Sequence, residues 1–324
     1  MARHVVVGKG PIGTTLASVL AQQGHDVVVV SRSGGRSNGH VEHRVADVGA
    51  PGVLRELVRG ADVVYNCVNP PYHRWPTEWP PLHEAFLDAA EAADAVLVTT
   101  SNLYGHGAGS GVMREDTPLA SSETKGQVRA AMWQSALARH EAGRVRVTEV
   151  RASDYFGPLA ADAAHYGQRT LGPLLAGKKL GPIGNPDAPH AVVFVPDFAR
   201  TLAAAGSNPA AWGRPWLAPH HPAESYREVV ARFARAAGVG VPRISPVPGP
   251  ALALAGVFSP MLREVRRVAY QFAEPFVVDS SASERVLGVS ATPWAEAVRE
   301  TLDWWRAHEL EPLPDTAAKR AARR

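Results

Sequence analysis

Cysteine is all but missing from this 324-residue chain: Cys67 stands alone, so no intrachain disulfide can form, and a reducing compartment is expected. Long apolar runs are missing too. None approaches the ~20 residues that a membrane-spanning helix needs, so no membrane partner is expected. The opening, Met1-Ala2-Arg3-His4, passes straight into a Val-rich run and a Gly-rich turn, without the features of a secretory signal. A soluble, cytoplasmic protein is the expectation. Among 13 histidines there is neither H-E-x-x-H nor a Cys/His cluster with zinc spacing, and no metal is expected. No G-x-S-x-G elbow suggests a hydrolase. The net charge is +3, and its one dense basic run is the tail around Lys319-Arg320 and Arg323-Arg324. That tail, 313–324, reads as a solvated, disordered end rather than a binding arm, so no nucleic-acid partner is expected.

What is present is order. Val-rich runs alternate with helical patterns through the first half, the signature of βαβ units and a parallel sheet. Strands are predicted at His4–Val7, Asp26–Val30, Val41–Val48, Asp62–Cys67, Ala95–Thr99 and Val145–Val150. Helices are predicted near Ile12–Gln23, Pro51–Arg59, Leu82–Ala93 and Glu123–Glu141. After Arg151 the alternation stops. Ser225 and Glu228 have capping-box spacing before a helix that ends at Gly238, and Thr292-Pro293 opens another. The fold class is therefore α/β, a doubly wound parallel sheet of Rossmann type with a smaller, mixed C-terminal substrate region. Residues 1–153 form the dinucleotide-binding core, and 154–312 form mainly the substrate side, interleaved with it.

Gly8-Lys9-Gly10-Pro11-Ile12-Gly13 fits G-x-G-x-x-G directly between a predicted strand and a predicted helix. In that setting the first glycine makes the tight turn, the second lets backbone approach a pyrophosphate, and the third lets helix and strand pack closely. The end of the second strand discriminates between cofactors. NAD-preferring sites usually place a carboxylate there for the ribose 2′-OH. This chain has Ser31-Arg32-Ser33 instead, with Arg36 close behind. A guanidinium suits a 2′-phosphate, so NADP(H) is preferred over NAD(H), the other reading being two solvated loop arginines. Asp47-Val48 closes the third strand, where an Asp could meet the adenine amino group, and Asn66-Cys67-Val68 ends the fourth, near the adenosine ribose. A strand-end Asp can equally be a loop cap.

With these elements in place the chain resembles the extended short-chain dehydrogenase/reductases of the NAD-dependent epimerase/dehydratase type. Gly10-Pro11-Ile12-Gly13 matches their G-F-I-G, and Thr99–Gly105 resembles S-S-S-x-x-V-Y-G. Glu115–Pro118 matches E-x-x-P, and Val195–Ala199 matches the V-x-D-x-A helix start. Arg151–Pro158 resembles R-x-x-N-x-Y-G-P with Asp154 in place of the Asn. The resemblance implies that Thr100 holds the substrate oxygen. It also exposes a departure: where Y-x-x-x-K should stand, Lys125 takes the tyrosine's place and Arg129 the lysine's, and no tyrosine lies between Tyr104 and Tyr155. Arg129 could still hold the ribose hydroxyls. Its charge one turn away, together with burial, is expected to make Lys125 a neutral amine able to replace the tyrosine as acid/base. Alternatively both residues bind phosphate or solvate a helix face.

Tyr72, Trp75 and Trp79 follow the fourth strand, at the sheet edge where ligands bind, and are expected to wall a substrate pocket. Asn102, Tyr104, Asp154 and Tyr155, in the matched stretches, complete the substrate set; Tyr104 is a second candidate for the missing phenol. The expected activity is an NADP-dependent oxidoreductase or epimerase/dehydratase acting on a small oxygenated molecule. A catalytically inactive NADP-binding sensor is the alternative. The resemblance also allows a homodimer through the helices near Leu82–Ala93 and Glu123–Glu141.

Overall fold

A computed structural model describes residues 1–161 and 164–308; the basic tail lies outside the described residues. Seven strands form one sheet in the order β11-β7-β5-β4-β1-β2-β3. They are β1 (Arg3–Val7), β2 (Asp26–Ser31), β3 (Val41–Val45), β4 (Val63–Asn66), β5 (Val96–Asn102), β7 (Arg146–Ala152) and β11 (Pro215–Leu217). Every pairing in the sheet is parallel. Parallel strands covered on both faces must be apolar throughout, and Val5, Val6 and Val7 are all buried. Outside the sheet, β6 (Val112–Met113) pairs with β13 (Val277–Val278), β8 (Asp154–Phe156) with β10 (Val192–Phe194), and β9 (Pro189–His190) with β12 (Glu224–Ser225).

Helices cover the two faces. α1 (Pro11–Gln22) has Pro11 in its first turn, and buries Leu16 and Leu20 against Phe198 and Leu202 of α6 (Val195–Ser207). α2 (Val53–Leu57), α3 (Trp75–Ala92) and α4 (Thr124–Glu141) bury Leu54, Phe86, Leu87 and Trp133 on the other face. Full burial of such side chains stabilises the fold by roughly 1.5–3 kcal/mol each. The large apolar residues of α3 and α4 thus face the sheet, while Glu84, Asp88, Gln127 and Gln134 face outward.

α3 begins seven residues before its predicted start at Leu82. Pro76, Pro80 and Pro81 read as loop, yet all are exposed, so the carbonyls they leave without an N–H partner face water. The strand predicted over Val41–Val48 stops at Val45.

The second half carries α5 (Leu171–Leu175), α7 (Tyr226–Ala237), α8 (Gly249–Phe258), α9 (Pro260–Arg267), α10 (Ser281–Leu287) and α11 (Trp294–Ala307). The capping box forms as expected, with Ser225 and Glu228 exchanging hydrogen bonds and Gly238 left-handed after α7. Two family-like motifs turn out to be struts. Asp197 accepts hydrogen bonds from Thr292 N (2.8 Å) and Thr292 Oγ1 (2.6 Å), and Glu115 accepts one from Ser283 N (3.0 Å). Both tie late segments to the core, as does β11, so the C-terminal half is interleaved with the sheet.

The glycine turn is closely packed. A Cβ on Gly13 would run into the Gly8 carbonyl and press on Cys67 Cβ at 3.3 Å. Gly13→Ala is therefore expected to lower stability by about 3 kcal/mol, the upper end for overpacking, as read from the urea midpoint. A loss below about 0.5 kcal/mol would contradict this packing.

Candidate functional site

One large cleft, about 1680 Å³, runs along the carboxyl ends of the strands. Single small-molecule pockets usually measure ~300–1,000 Å³, so this one has room for a dinucleotide and a second molecule. Its cofactor end is walled by Gly8–Gly13 after β1, Ser31–Ser33 after β2, Asp47–Gly49 after β3 and Cys67-Val68 after β4. A Cβ on Gly10 meets nothing within 4 Å, because that glycine faces the open cradle rather than protein. Backbone N–H groups at the start of α1 open towards the same space, the arrangement that receives a pyrophosphate. The residues present therefore fit a dinucleotide.

Most sequence-predicted site residues meet in this cleft. Arg32 lines it, whereas Arg36 does not. Asp47 lines it too, but its carboxylate accepts the Gly49 N–H at 3.1 Å, which is the loop-cap role. Asn66 lies just outside; its Oδ1 takes the Val68 N–H at 3.3 Å. Lys9 adds a contact the motif does not specify, donating from Nζ to the carbonyl of Gly34 and so closing the glycine turn onto the loop after β2.

At the middle of the cleft stand Thr100, Asn102, Tyr104, Tyr72, Asp154 and Tyr155. Thr100 Oγ1 lies 3.4 Å from Cys67 Sγ, whose thiol is pushed up to about 12 by burial and is thus inert at neutral pH. Asn102 Oδ1 fixes the Tyr104 N–H at 3.1 Å. The hydroxyls of Tyr72 and Tyr104 share a hydrogen bond of 2.9 Å, and burial raises the pKa of both phenols. They are neutral, proton-bearing groups at pH 7.

Asp154 departs from the family's Asn and has a partner to match. Its Oδ2 sits 2.9 Å from His190 Nε2, while His190 Nδ1 sits 3.0 Å from the Gln271 carbonyl. The ring thus bridges the Asp154 carboxylate and a backbone carbonyl, with Ser153 Oγ 3.2 Å from the same Nε2. Burial alone would raise the Asp154 pKa; the hydrogen bond and charge of His190, with His165, outweigh it and leave the pKa lowered. The cleft thus meets an acceptor carboxylate there, where the amide would offer a donor as well.

Two expectations are corrected. Lys125 does not line the cleft: it is 1% exposed, and its Nζ lies 2.7 Å from both Glu123 Oε1 and Glu264 Oε2. Paired with both carboxylates and kept out of the cleft, Lys125 is an ion-pair tether from α4 to α9 rather than the acid/base expected of it. Trp75 is no pocket wall either. It is buried, donates its indole N–H to the Pro70 carbonyl (2.9 Å), and with Trp79 clamps the Arg129 guanidinium, 4.6 Å from each ring. A desolvated cation between two indoles gains on the order of 2 kcal/mol. Arg129 does line the cleft, with Nη1 3.5 Å from the Thr100 carbonyl. Burial pulls its pKa down to about 10, against the opposing pull of Glu149, and it stays charged at neutral pH.

Sequence reasoning missed Glu264 and the whole α8–α9 hairpin. The available signals were Gly249-Pro250 and Ser259-Pro260, two helix-start pairs, with Ser259 Oγ capping the Leu262 N–H at 3.4 Å. Among the described residues no group of His, Cys, Asp and Glu could hold a metal ion, and no helix is long and apolar enough to cross a membrane.

A parallel sheet in this strand order, with a glycine turn opening α1 at its carboxyl edge, defines a dinucleotide-binding α/β protein of the doubly wound class. More narrowly, the chain belongs to the NAD-dependent epimerase/dehydratase family, whose profile matches residues 5–215. No curated protein sequence matches it. Among solved structures it is similar to MoeE5 in complex with UDP-glucose and NAD (20% identity, TM-score 0.76, covering 96% of this chain and 100% of that one). It is also similar to dTDP-glucose 4,6-dehydratase from Bacillus anthracis str. Ames in complex with NAD (16%, TM-score 0.78, 95% and 98%). A third is UDP-glucuronic acid 4-epimerase from Bacillus cereus in complex with NAD (15%, TM-score 0.76, 94% and 99%).

Proposed function

We propose that this protein is an NADP(H)-dependent oxidoreductase, epimerase or dehydratase acting on a small oxygenated organic molecule. One observation carries the reading: the glycine turn, Thr100 and the paired phenols of Tyr72 and Tyr104 share one cleft. Nicotinamide held there would supply the hydride chemistry. The protein's own residues bind, orient and handle the proton. The α1 N-terminus would receive the pyrophosphate, and Arg129, fixed by its two indoles, would hold the ribose hydroxyls. Thr100 Oγ1 holds the substrate oxygen. With Lys125 withdrawn, Tyr104 acts as the acid, its hydroxyl oriented by Tyr72 at 2.9 Å. The alternative of a silent nucleotide sensor gains nothing from a cleft that keeps a hydroxyl, two phenols and a guanidinium together.

The preference for a 2′-phosphate rests on Arg32, since the similar structures named above hold NAD. Titration with NADPH and NADH, followed by nicotinamide fluorescence, tests it. Arg32→Ala is expected to weaken NADPH about tenfold to a hundredfold, the size of one charge-assisted hydrogen-bonding group, and to leave NADH within about twofold. Tighter NADH than NADPH binding by the parent protein would move the preference to NAD. No binding of either nucleotide would remove the whole reading. Where binding holds, decay of NADPH absorbance with ketones, enones and sugars identifies the substrate.

A further inference from the structure

We infer that the substrate half of the cleft is built for a lipophilic, uncharged ketone or secondary alcohol, not for a nucleoside diphosphate sugar. The inference rests on the reading of the other half as a nucleotide site. From Asp154 onward, Asp154 and Arg169 are the only Asp, Glu, Lys or Arg side chains among the described lining residues. Asp154 has the wrong sign for a phosphate and is engaged with His190. His165 also lines this half, but burial pulls its pKa down to about 4, so it is neutral at pH 7. On the facing wall Arg74 is paired with Glu78 at 3.1 Å and Arg129 is held between two indoles, which leaves Arg169 to face the two charges of a diphosphate, normally met by several cations or N–H groups. A diphosphate left there without partners would carry a large desolvation cost.

Beside Thr170, Tyr226 and Gln271 the remaining wall is apolar, and it is so by pattern. Ala251, Leu252 and Ala255 on α8, and Leu262 and Val265 on α9, line the cleft. Their i, i+3 and i+4 spacing puts one face of each helix over the cavity. Ile183, Val268 and Phe272 line it as well. The hairpin packs closely at its turn, where a Cβ on Gly256 would meet Arg263 Cα at 3.4 Å, so it forms one apolar cover. A ligand there gains by burying hydrocarbon, at roughly 25 cal/mol per Å² of apolar area. Its single oxygen function would be directed to Thr100 and Tyr104.

The test uses the full chain and N-phenyl-1-naphthylamine, an uncharged apolar fluorophore, with 2-decanone, UDP-glucose and UDP-glucuronic acid as competitors. The fluorophore is expected to bind saturably and to be displaced by 2-decanone but not by millimolar nucleotide sugar. Ala251→Glu, at an exposed cavity-lining position that can change without disturbing the core, is expected to weaken binding at least tenfold. Leu254→Glu, on the outer face of the same helix and 65% exposed, is expected to change it less than twofold. Displacement by either nucleotide sugar at lower concentration than 2-decanone overturns the inference. So does the absence of saturable binding, or a loss confined to Leu254→Glu. The titration needs no cofactor, so failure of NADPH to bind is a separate result that would remove the nucleotide reading instead.

Discussion

Replacing Lys125 by Met is expected to lower the free energy of unfolding by about 3–5 kcal/mol, the cost of removing one partner from a buried ion pair. The ammonium sits between Glu123 and Glu264, whose side chains are only 15% and 10% exposed. Glu123 would keep its bonds to the N–H groups of Lys125 and Gly126 at the start of α4. Glu264 would keep only Arg267, at 2.9 Å and half exposed, so the loss falls mainly on α9. Urea unfolding followed by circular dichroism measures the effect. The double variant Lys125→Met/Glu264→Leu should recover much of it, because an apolar pair of similar volume often matches a buried ion pair. If Lys125 were the acid/base that its alignment suggests, Lys125→Met would abolish turnover while leaving stability within about 1 kcal/mol.

Acid lability is the second large effect. Burial lowers the pKa of His4, His83 and His106 from 6.5 to about 4, and of His220 to about 3. All four are buried and therefore neutral in the folded protein. His220 shows how: its Nε2 accepts the Ser153 N–H at 3.0 Å while Nδ1 donates to the Ala218 carbonyl at 2.6 Å. In the unfolded chain each ring takes up a proton as pH falls below 6.5. The unfolded state then binds more protons, so stability is full above about pH 6.5 and declines as pH falls towards 4. Each histidine contributes at most about 1.4 kcal/mol per pH unit, and four together on the order of 5. Against a total stability of roughly 5–15 kcal/mol, this predicts unfolding near pH 5 without denaturant. Proton uptake on unfolding at pH 5 should approach five, four from these rings and one from His165, whose pKa burial also lowers to about 4, and His106→Gln should lower it by one. Stability that stays flat from pH 7 to pH 5 would refute the assignment.

Where a residue's role is set by local pattern, the sequence made it readable. Val-rich runs, the glycine turn and the Ser225 capping box specify their own geometry within a few residues, and they stand where expected. Lys125 is different. Spacing placed it correctly on α4, next to Arg129, but its environment is decided by Glu264, 139 residues away in a hairpin without a conspicuous motif. Trp75 failed in the same manner: an aromatic after a sheet strand can face a ligand or a cation, and only packing against Arg129 decides. Prolines misled over α3 because their cost depends on whether the freed carbonyls reach water.

β11 carries a consequence for how the chain can be divided. It joins the sheet beside β7 through Pro215–Leu217, pairing with Glu149–Arg151. A fragment that stopped at residue 153 would hold the entire glycine turn yet leave one side of β7 as a bare edge, with unpaired N–H and C=O groups along a buried strand. Such an edge is a template for another chain. A fragment cut there is therefore expected to self-associate, because a late segment of the chain supplies the strand that covers this edge.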